Sequence, residues 1–283
     1  MQLCDSVALI TGASRGLGFE VARVFARRGA GLVLTSRNQD ALDRAAHAIR
    51  LDAAPFAHTG SVVALRGDVG DPEHADRLVR AALARFGRID ILVNNASALG
   101  PSPMPPLADL APEALWEILR VNVLAPHVLT RLVLPSMHAR RSGMIMNVTS
   151  DAGVEAYPGW GGYGASKAAL EHLSRVLAAE LRGTGVRVYV VDPGDMNTQM
   201  HQDAEPGADL SHLPQPAAVA PAFAALVERE TAPFGRFLAQ QMTGQTGGVE
   251  LVQPPSGPVE RTKTATPPSD HAGGKSATES ALR

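Results

Sequence analysis

The tyrosine and the lysine of the segment YPGWGGYGASKAAL have a spacing that suits proton transfer. Tyr163 and Lys167 lie four residues apart, so a helix over residues 163–181 would place them one turn apart on one face. Lowering the pKa of a tyrosine from about 10 to about 7 requires about 4 kcal/mol of preference for the phenolate. A lysine ammonium about 4–5 Å away supplies about 3–4 kcal/mol at an effective dielectric constant of about 20, and an oxidised nicotinamide ring, also positive, could supply the rest. The pair therefore predicts a tyrosine acid/base tuned by its lysine.

The same segment holds a second tyrosine. Tyr157 has no lysine one turn after it and lies beside Pro158 and Trp160, which is typical of packing or of a pocket wall. A Tyr-x-x-x-Lys pair also occurs by chance on helices, so packing is an alternative for Tyr163 unless other parts of a site are present.

The elements that would position this pair follow from the hydrophobic pattern. Short apolar, β-branched runs alternate with longer segments of helical period, which indicates parallel strands covered by helices on both faces. We predict an α/β fold with a single Rossmann-type doubly wound parallel sheet of about seven strands. The predicted strands are 7–10, 32–35, 62–65, 89–93, 144–148, 186–191 and 234–239, and the clearest helices are 19–28, 40–50 and 73–86.

A glycine-rich loop, TGASRGLG, follows the first predicted strand and leads into a helix. Gly12 turns the chain tightly, Gly16 lets the backbone approach a pyrophosphate, and Gly18 packs the helix on the strand. The N-terminus of the helix then faces the anion. A lone glycine triplet is weak, but the strand before it and the helix after it predict a dinucleotide site. The other loop residues assigned to this site are Ser14, Arg15 and Leu17.

The end of the second predicted strand indicates which nicotinamide cofactor binds. An acid there would bond the ribose 2′-hydroxyl and repel a 2′-phosphate. The chain instead has Ser36 and Arg37, with no acid before Asp40. Arg37 offers a planar fork for phosphate, and Arg15 can close on the same site; the alternative is that both are solvated surface charges. We predict NADP(H) in preference to NAD(H).

Composition limits the domains, the partners and the compartment. The net charge of −2 gives no basic surface for nucleic acid, and the single cysteine excludes disulfides and a cysteine zinc site, so we predict no metal. The start of the chain has no basic or long apolar run, so we expect a cytoplasmic protein without a membrane span. Residues 243–283 are rich in Gly, Pro, Ser and Thr, which predicts a disordered tail after one dinucleotide-binding and catalytic domain over residues 1–242.

Together these motifs resemble the short-chain dehydrogenase/reductase family, in its branch with TGxxxGxG and YxxxK. The resemblance covers residues 6–200 and implies hydride transfer between NADP(H) and a carbonyl or secondary alcohol. Ser150 lies thirteen residues before Tyr163, the spacing that the family uses. The further matching residues are Asp68, Val69, the NNAS strand end at 94–97, Asn122, Pro193, Gly194 and Thr198.

The resemblance implies a role for each matched residue. Tyr163 exchanges a proton with the substrate oxygen, and Ser150 holds that oxygen by a hydrogen bond. Lys167 binds the nicotinamide ribose and lowers the pKa of the tyrosine, while Asn122 supports a water that relays protons to the lysine. The remaining cofactor contacts are Asp68, Val69, Asn95, Ala96, Pro193, Gly194, Met196 and Thr198.

Pro126 lies four residues after Asn122 in what reads as a continuous helix. Because proline has no N–H, the carbonyl of Asn122 loses its helical partner, as a bound relay water requires. The alternative is that Pro126 only bends the helix around the sheet.

Two features depart from the family pattern. Ser97 replaces the usual glycine of NNAG, and we expect it to narrow the space near the cofactor. The chain also lacks the closing segment that ends in consecutive glycines. We therefore expect a homodimer through the helices that carry Asn122 and Tyr163, rather than a tetramer.

The predicted substrate walls are residues 99–107, 154–160 and 196–203, which contain Met104, Trp160, Met196 and Met200. Such side chains favour a lipophilic ketone, aldehyde or secondary alcohol, although they serve equally as packing. Two other functions remain open. One is a regulatory protein on this fold that binds cofactor with little turnover, and the other is an epimerase or dehydratase of nucleotide sugars.

Overall fold

The computed structural model describes residues 1–54, 61–229 and 234–243. Apart from Thr243, the tail predicted over residues 243–283 lies outside the described residues. Seven strands form one sheet in this part of the chain, and every pairing between neighbours is parallel. The strands are β1 Val7–Thr11, β2 Gly31–Ser36, β3 Val62–Arg66, β4 Ile91–Asn94, β5 Gly143–Val148, β6 Val186–Asp192 and β7 Phe234–Leu238.

The predicted doubly wound sheet is confirmed by the strand order, β3-β2-β1-β4-β5-β6-β7. The chain runs outwards from β1 to β3 and then returns to place β4 on the other side of β1. The carboxyl ends of β1 and β4 therefore diverge at a switch point, where open α/β sheets bind ligands.

Helices cover both faces of the sheet and bury its two sets of side chains. Ile10 belongs to a core formed with α1 and α2, whereas its neighbour Leu9 belongs to a core formed with α3, α5 and α6. Because both faces are buried, the strands read as continuous apolar runs. The helices are α1 Gly16–Arg27, α2 Gln39–Ala53, α3 Pro72–Phe86, α4 Pro112–Leu119, α5 Ala125–Arg140, α6 Gly161–Glu180, α7 Gln199–Ala204, α8 Pro216–Val219, α9 Pro221–Glu228 and α10 Ala239–Thr243.

The sequence around Asn122 predicted a continuous α-helix, but the structure interrupts it. A π turn over Arg120–Leu124 separates α4 from α5, and the N–H of Ala125 donates to the carbonyl of Arg120. Pro126 has no N–H for the carbonyl four residues before it, so the regular ladder fails at Asn122 and the helix widens there. The relay role of the Asn122 carbonyl stays a prediction.

The stretch Pro112–Arg140 is long and apolar enough, by length and composition alone, to cross a membrane. Half of its most apolar window is buried inside the fold, and the core helix of a soluble protein passes the same test. The expectation of no membrane span stays a prediction.

Candidate active site

A cleft of about 1380 Å³ lies along the carboxyl ends of the strands, next to the switch point between β1 and β4. Of the catalytic and cofactor-binding residues predicted from the sequence, all but Gly18 and Asn122 line this cleft. The structure brings the following ones together in the cleft: Gly12, Ser14, Arg15, Gly16, Leu17, Ser36, Arg37, Asp68, Val69, Asn95, Ala96, Ser150, Tyr163, Lys167, Pro193, Gly194, Met196 and Thr198.

The glycine loop has the shape of a phosphate cradle. Gly12 and Gly16 have φ values of 65° and 58°, in the left-handed region that favours glycine. A Cβ atom on Gly18 would lie 2.6 Å from the carbonyl oxygen of Gly12, whereas one on Gly16 would meet no atom within 4 Å. Gly18 thus lets α1 pack on the loop, and the space beside Gly16 at the start of α1 is open. These residues fit a dinucleotide pyrophosphate.

Asn95 holds this loop in place from β4. Its Nδ2 donates to the carbonyl oxygens of Thr11 and Gly12, at 2.9 and 3.3 Å. Its own N–H donates to the hydroxyl of Thr11 at 3.0 Å. The amide is therefore occupied by the loop, so Asn95 shapes the cofactor site through the backbone of Gly12.

Two arginines line the outer part of the cofactor region of the cleft, Arg37 directly after β2 and Arg15 in the glycine loop. Arg37 and Arg15 are both exposed, and neither takes part in a salt bridge within the described residues. Asp68, by contrast, accepts from Arg120 at 2.7 Å and from the N–H of Gly70 at 2.9 Å. Burial raises the pKa of Asp68, but these hydrogen bonds outweigh it and the pKa lies below its usual value. Asp68 is therefore held as a carboxylate, and the charge of Arg37 also acts to lower its pKa.

Tyr163, Ser150 and Lys167 meet at the inner end of the cleft. Nζ of Lys167 lies 5.3 Å from the centre of the Tyr163 ring and donates to the carbonyl of Val148 at 2.9 Å. The hydroxyl-bearing side chains of Ser150 and Ser97 line the cleft beside Tyr163 and act to lower its pKa. A Cβ atom on Gly164 would overlap the carbonyl oxygen of Ala152, so a glycine at 164 allows α6 to approach the turn that carries Ser150.

Burial shifts the pKa values of both Tyr163 and Lys167. Burial raises the pKa of Tyr163, and the hydrogen bonds with Ser97 and Ser150 only partly offset it. Burial also lowers the pKa of Lys167 to about 8, against the attraction of Asp192 and Glu171. In the protein without cofactor, burial therefore dominates the pKa of Tyr163, and the lowering expected from Lys167 together with a bound nicotinamide stays a prediction.

The side chain of Asn122 is fully occupied by its neighbours. Its Oδ1 accepts from the N–H of Ala98 at 2.7 Å and from Oγ of Ser97 at 3.1 Å. Its Nδ2 donates to the carbonyl of Ala98 and to Oγ of Ser166, both at 2.9 Å. The amide thus anchors the segment after β4 onto the π turn and onto α6, beneath the cleft.

Sequence reasoning missed a buried charge network behind Lys167. Arg236 on β7 donates to Asp192 at 2.9 Å and to Glu171 at 3.2 Å. Glu171 also accepts from the hydroxyl of Thr149 at 2.8 Å, and Asp192 accepts from the N–H of Gly194 at 2.8 Å. The one sequence feature that could have indicated this network is the single arginine in the apolar strand FGRFL.

Tyr157 has a polar partner that its sequence context did not reveal. Its hydroxyl donates to Oδ2 of Asp151 at 2.8 Å, and Ser150 donates to Oδ1 of the same carboxylate at 2.9 Å. The ring of Trp160 stands between the two tyrosines, 6.3 Å from Tyr157 and 5.8 Å from Tyr163. Tyr157 is therefore an exposed residue held by Asp151, which lines the cleft, and it does not belong to the core.

The three substrate walls contribute unequally. The cleft takes residues 99–102 from the first wall, only Trp160 from the second, and residues 196–201 with Asp203 from the third. Met196 and Met200 line it, whereas Met104 does not. Within the described residues no three His, Cys, Asp or Glu side chains are placed to hold a metal ion, and the absence of a metal stays a prediction.

Comparisons with known proteins agree on one family. A family model described as short chain dehydrogenase matches residues 6–209. Dehydrogenase/reductase SDR family member 4 of Bos taurus is 39% identical over 197 residues, which are 69% of this chain and 67% of that protein. The matches span between 61% and 72% of the length of five curated relatives.

Solved structures are similar over most of their length. A short chain dehydrogenase from Shigella flexneri 2a str. 301, complexed with NADP, is 30% identical with a TM-score of 0.74, over 83% of this chain and 97% of that one. An alcohol dehydrogenase from the archaeon Thermococcus sibiricus, complexed with 5-hydroxy-NADP, is 29% identical with a TM-score of 0.72, over 82% of this chain and 95% of that one.

Proposed function

Since the chain belongs to the short-chain dehydrogenase/reductase family, we propose that it is an NADP(H)-dependent oxidoreductase acting on a carbonyl or secondary alcohol. The observation that carries the proposal is the meeting of Tyr163 with Ser150 and Lys167 at the inner end of the cleft. The alternative functions, a regulatory cofactor-binding protein and a nucleotide-sugar enzyme, have no comparable feature in their favour.

Each of the three residues has a distinct task. The nicotinamide cofactor supplies or accepts the hydride. Tyr163 donates its proton to the substrate oxygen in reduction and takes it back in oxidation. Ser150 turns its hydroxyl from Asp151 to the same oxygen and orients it. Lys167 provides positive charge beside the ring of Tyr163, which favours the phenolate.

The binding of the cofactor follows from the shape and charge of the cleft. The glycine loop and the N-terminus of α1 hold the pyrophosphate. Arg15 in the glycine loop and Arg37 after β2 are exposed, and neither forms a salt bridge among the described residues, so they are available for a 2′-phosphate. The two similar structures described above were solved with NADP or 5-hydroxy-NADP, which supports NADP(H) over NAD(H).

The substrate that we propose is lipophilic, because Trp160, Met196 and Met200 line the cleft. Their apolar, adaptable side chains suit a ketone, an aldehyde or a secondary alcohol with a hydrocarbon body. A cytoplasmic location remains part of the proposal.

The test follows NADPH absorbance against a panel of lipophilic ketones and aldehydes. We expect turnover in the wild type and a loss of at least about 10²-fold in Tyr163→Phe, since a positioned acid contributes about 10²–10⁴-fold. Fluorescence titration with NADPH serves as the control, and both proteins should bind it. Undiminished turnover in Tyr163→Phe would overturn the proposed role. Cofactor binding without turnover on any substrate would favour the regulatory alternative.

A further inference from the structure

The segment that follows β6 forms one wall of the cleft. Its residues 193–196, which we call the β6 loop, all line the cleft together with Asp192, the last residue of β6. β6 is paired with β5, and the N–H of Thr149 after β5 donates to the carbonyl of Val191 at 2.9 Å. The β6 loop therefore leaves the sheet beside Ser150, and it borders the end of the cleft that holds the proposed catalytic residues.

The first half of the β6 loop is anchored to the sheet. Gly194 has a φ of 69°, in the left-handed region that favours glycine, and its N–H donates to Oδ1 of Asp192 at 2.8 Å. Oδ2 of Asp192 accepts in turn from Arg236 on β7 at 2.9 Å. The turn at Gly194 is therefore tied to β6 and, through this carboxylate, to β7.

The second half of the β6 loop is held by Gln240 on α10. Its Nε2 donates to the carbonyl oxygen of Asp195 at 2.7 Å. A Cβ atom on Gly194 would lie 2.6 Å from the same Nε2 and 2.7 Å from Cδ of Gln240, so the amide packs directly against the glycine backbone. Gln240 is half-buried and does not line the cleft, and α10 itself packs on α8 and α9. A fixed helix thus holds the loop from outside the cleft.

We propose that Gln240 is a positioning residue that holds the β6 loop in the shape required by the nicotinamide end of the cofactor. This rests on the proposed function, because the glycine loop takes the pyrophosphate and hydride transfer requires the nicotinamide beside Tyr163, where the β6 loop borders the cleft. A loop that is already ordered loses less conformational freedom when the cofactor binds. Without the donor of Gln240, an anchor of the loop is lost, and binding of the nicotinamide end must supply that ordering.

The test compares two ligands by isothermal titration calorimetry. One is NADPH, and the other is adenosine 2′,5′-bisphosphate, which carries the 2′-phosphate but no nicotinamide. Gln240→Met keeps the length of the side chain and removes its donor. We expect the Kd for NADPH to rise about three- to tenfold in this variant, the effect of one hydrogen bond. The Kd for the bisphosphate should stay that of the wild type, which also shows that the variant is folded.

Gln241→Met is the matched control, because Gln241 is the next residue on α10, is exposed and does not line the cleft. Both of its constants should equal those of the wild type. An unchanged Kd for NADPH in Gln240→Met would overturn the proposal, and so would an equal rise for both ligands, which indicates a general loss of the folded site. The titrations need no turnover, so a protein that binds NADPH but reduces no substrate would count only against the proposed function.

Discussion

Tyr163 and Lys167 are both buried beside the cleft, and burial opposes the charged form of each. The tyrosine is therefore held as a neutral phenol, and the lysine gives up its proton more readily than in water, with a pKa of about 8. A positively charged nicotinamide and a substrate oxygen, once bound, can change the protonation state of Tyr163 and Lys167. The pair thus depends on its neighbours, which include Ser97, Asp192 and Glu171.

The shifted pKa of Lys167 predicts a pH-dependent stability. The pKa is about 8 in the folded protein and 10.5 at its usual value, so the unfolded chain binds more protons between these two pH values. The free energy of unfolding of the wild type should therefore rise with pH across this window relative to Lys167→Met, by about 3 kcal/mol. Urea unfolding of the cofactor-free proteins at about pH 8 and about pH 10.5 measures it. A difference that stays constant with pH would contradict the burial of a neutralisable lysine.

Arg37 should determine the choice between the two cofactors. Removing its fork in Arg37→Ala leaves a 2′-phosphate without a charge-assisted partner, so we expect the Kd for NADPH to rise at least about tenfold, while that for NADH changes little. Fluorescence titration measures both constants. Arg44→Ala on α2, which does not line the cleft, is the control. An equal loss for both cofactors would show that Arg37 does not contact the 2′-phosphate.

At the scale of elements, the last strand supports the active site from behind. Arg236 on β7 bridges Asp192 at the end of β6 and Glu171 on α6. Each of the two carboxylates is almost fully buried, and burial raises the pKa of Asp192 even with the arginine present. The network joins β6 and β7 to α6, the helix that carries Tyr163 and Lys167, so β7 supports the site.

Arg236→Met should therefore destabilise the protein strongly, and most of all at high pH. Removing one partner of a buried ion pair costs about 3–5 kcal/mol. The stranded Asp192 then has a folded-state pKa even further above its unfolded value, so protonation relieves the cost and the variant recovers towards the wild type as pH falls. Urea unfolding at acidic and alkaline pH measures the effect. Arg80→Met, which loses an exposed pair with Asp76, should leave the stability almost unchanged at either pH, because water screens such a pair.

At the scale of the whole molecule, several exposed apolar side chains lie on α4, the π turn and α6. Trp116 and Leu124 are 60% and 50% exposed, on α4 and the π turn, and Leu173 and Val176 are each 43% exposed, one turn apart on α6. These elements pack against one another. Such a patch is typical of a surface that another chain covers, which supports the predicted homodimer through these helices.

The homodimer can be tested by sedimentation. We expect the wild type to sediment at twice the chain mass and Val176→Glu at the mass of one chain, because a charge in the centre of an apolar interface is desolvated without a partner. Leu83→Glu, a similar change at a 37% exposed leucine on α3, should leave the dimer intact. A wild type that sediments as a single chain at all concentrations would contradict this interface, and a fourfold mass would point to a tetramer.

The amino-acid sequence by itself determined the features that depend on neighbours along the chain. Both faces of the central strands β1, β4 and β5 are buried, so continuous apolar runs were sufficient to predict a parallel sheet. The glycine loop and the Tyr163–Lys167 pair are also local, because their geometry follows from a turn and from the helical period. The segment around Asn122 was predicted less well, since a π turn replaces the continuous helix that its sequence indicated.

Only the tertiary structure decided what surrounds these residues. Ser97 and Asn122 are 25 residues apart along the chain, and Arg236 and Glu171 are 65 apart, so no local pattern connects them. The sequence also could not predict whether the pKa of Tyr163 is raised or lowered, because the shift depends on how completely the fold excludes water from the phenol. Spacing specifies which groups meet on one helix, whereas desolvation and long-range hydrogen bonds set how strongly each one holds its proton.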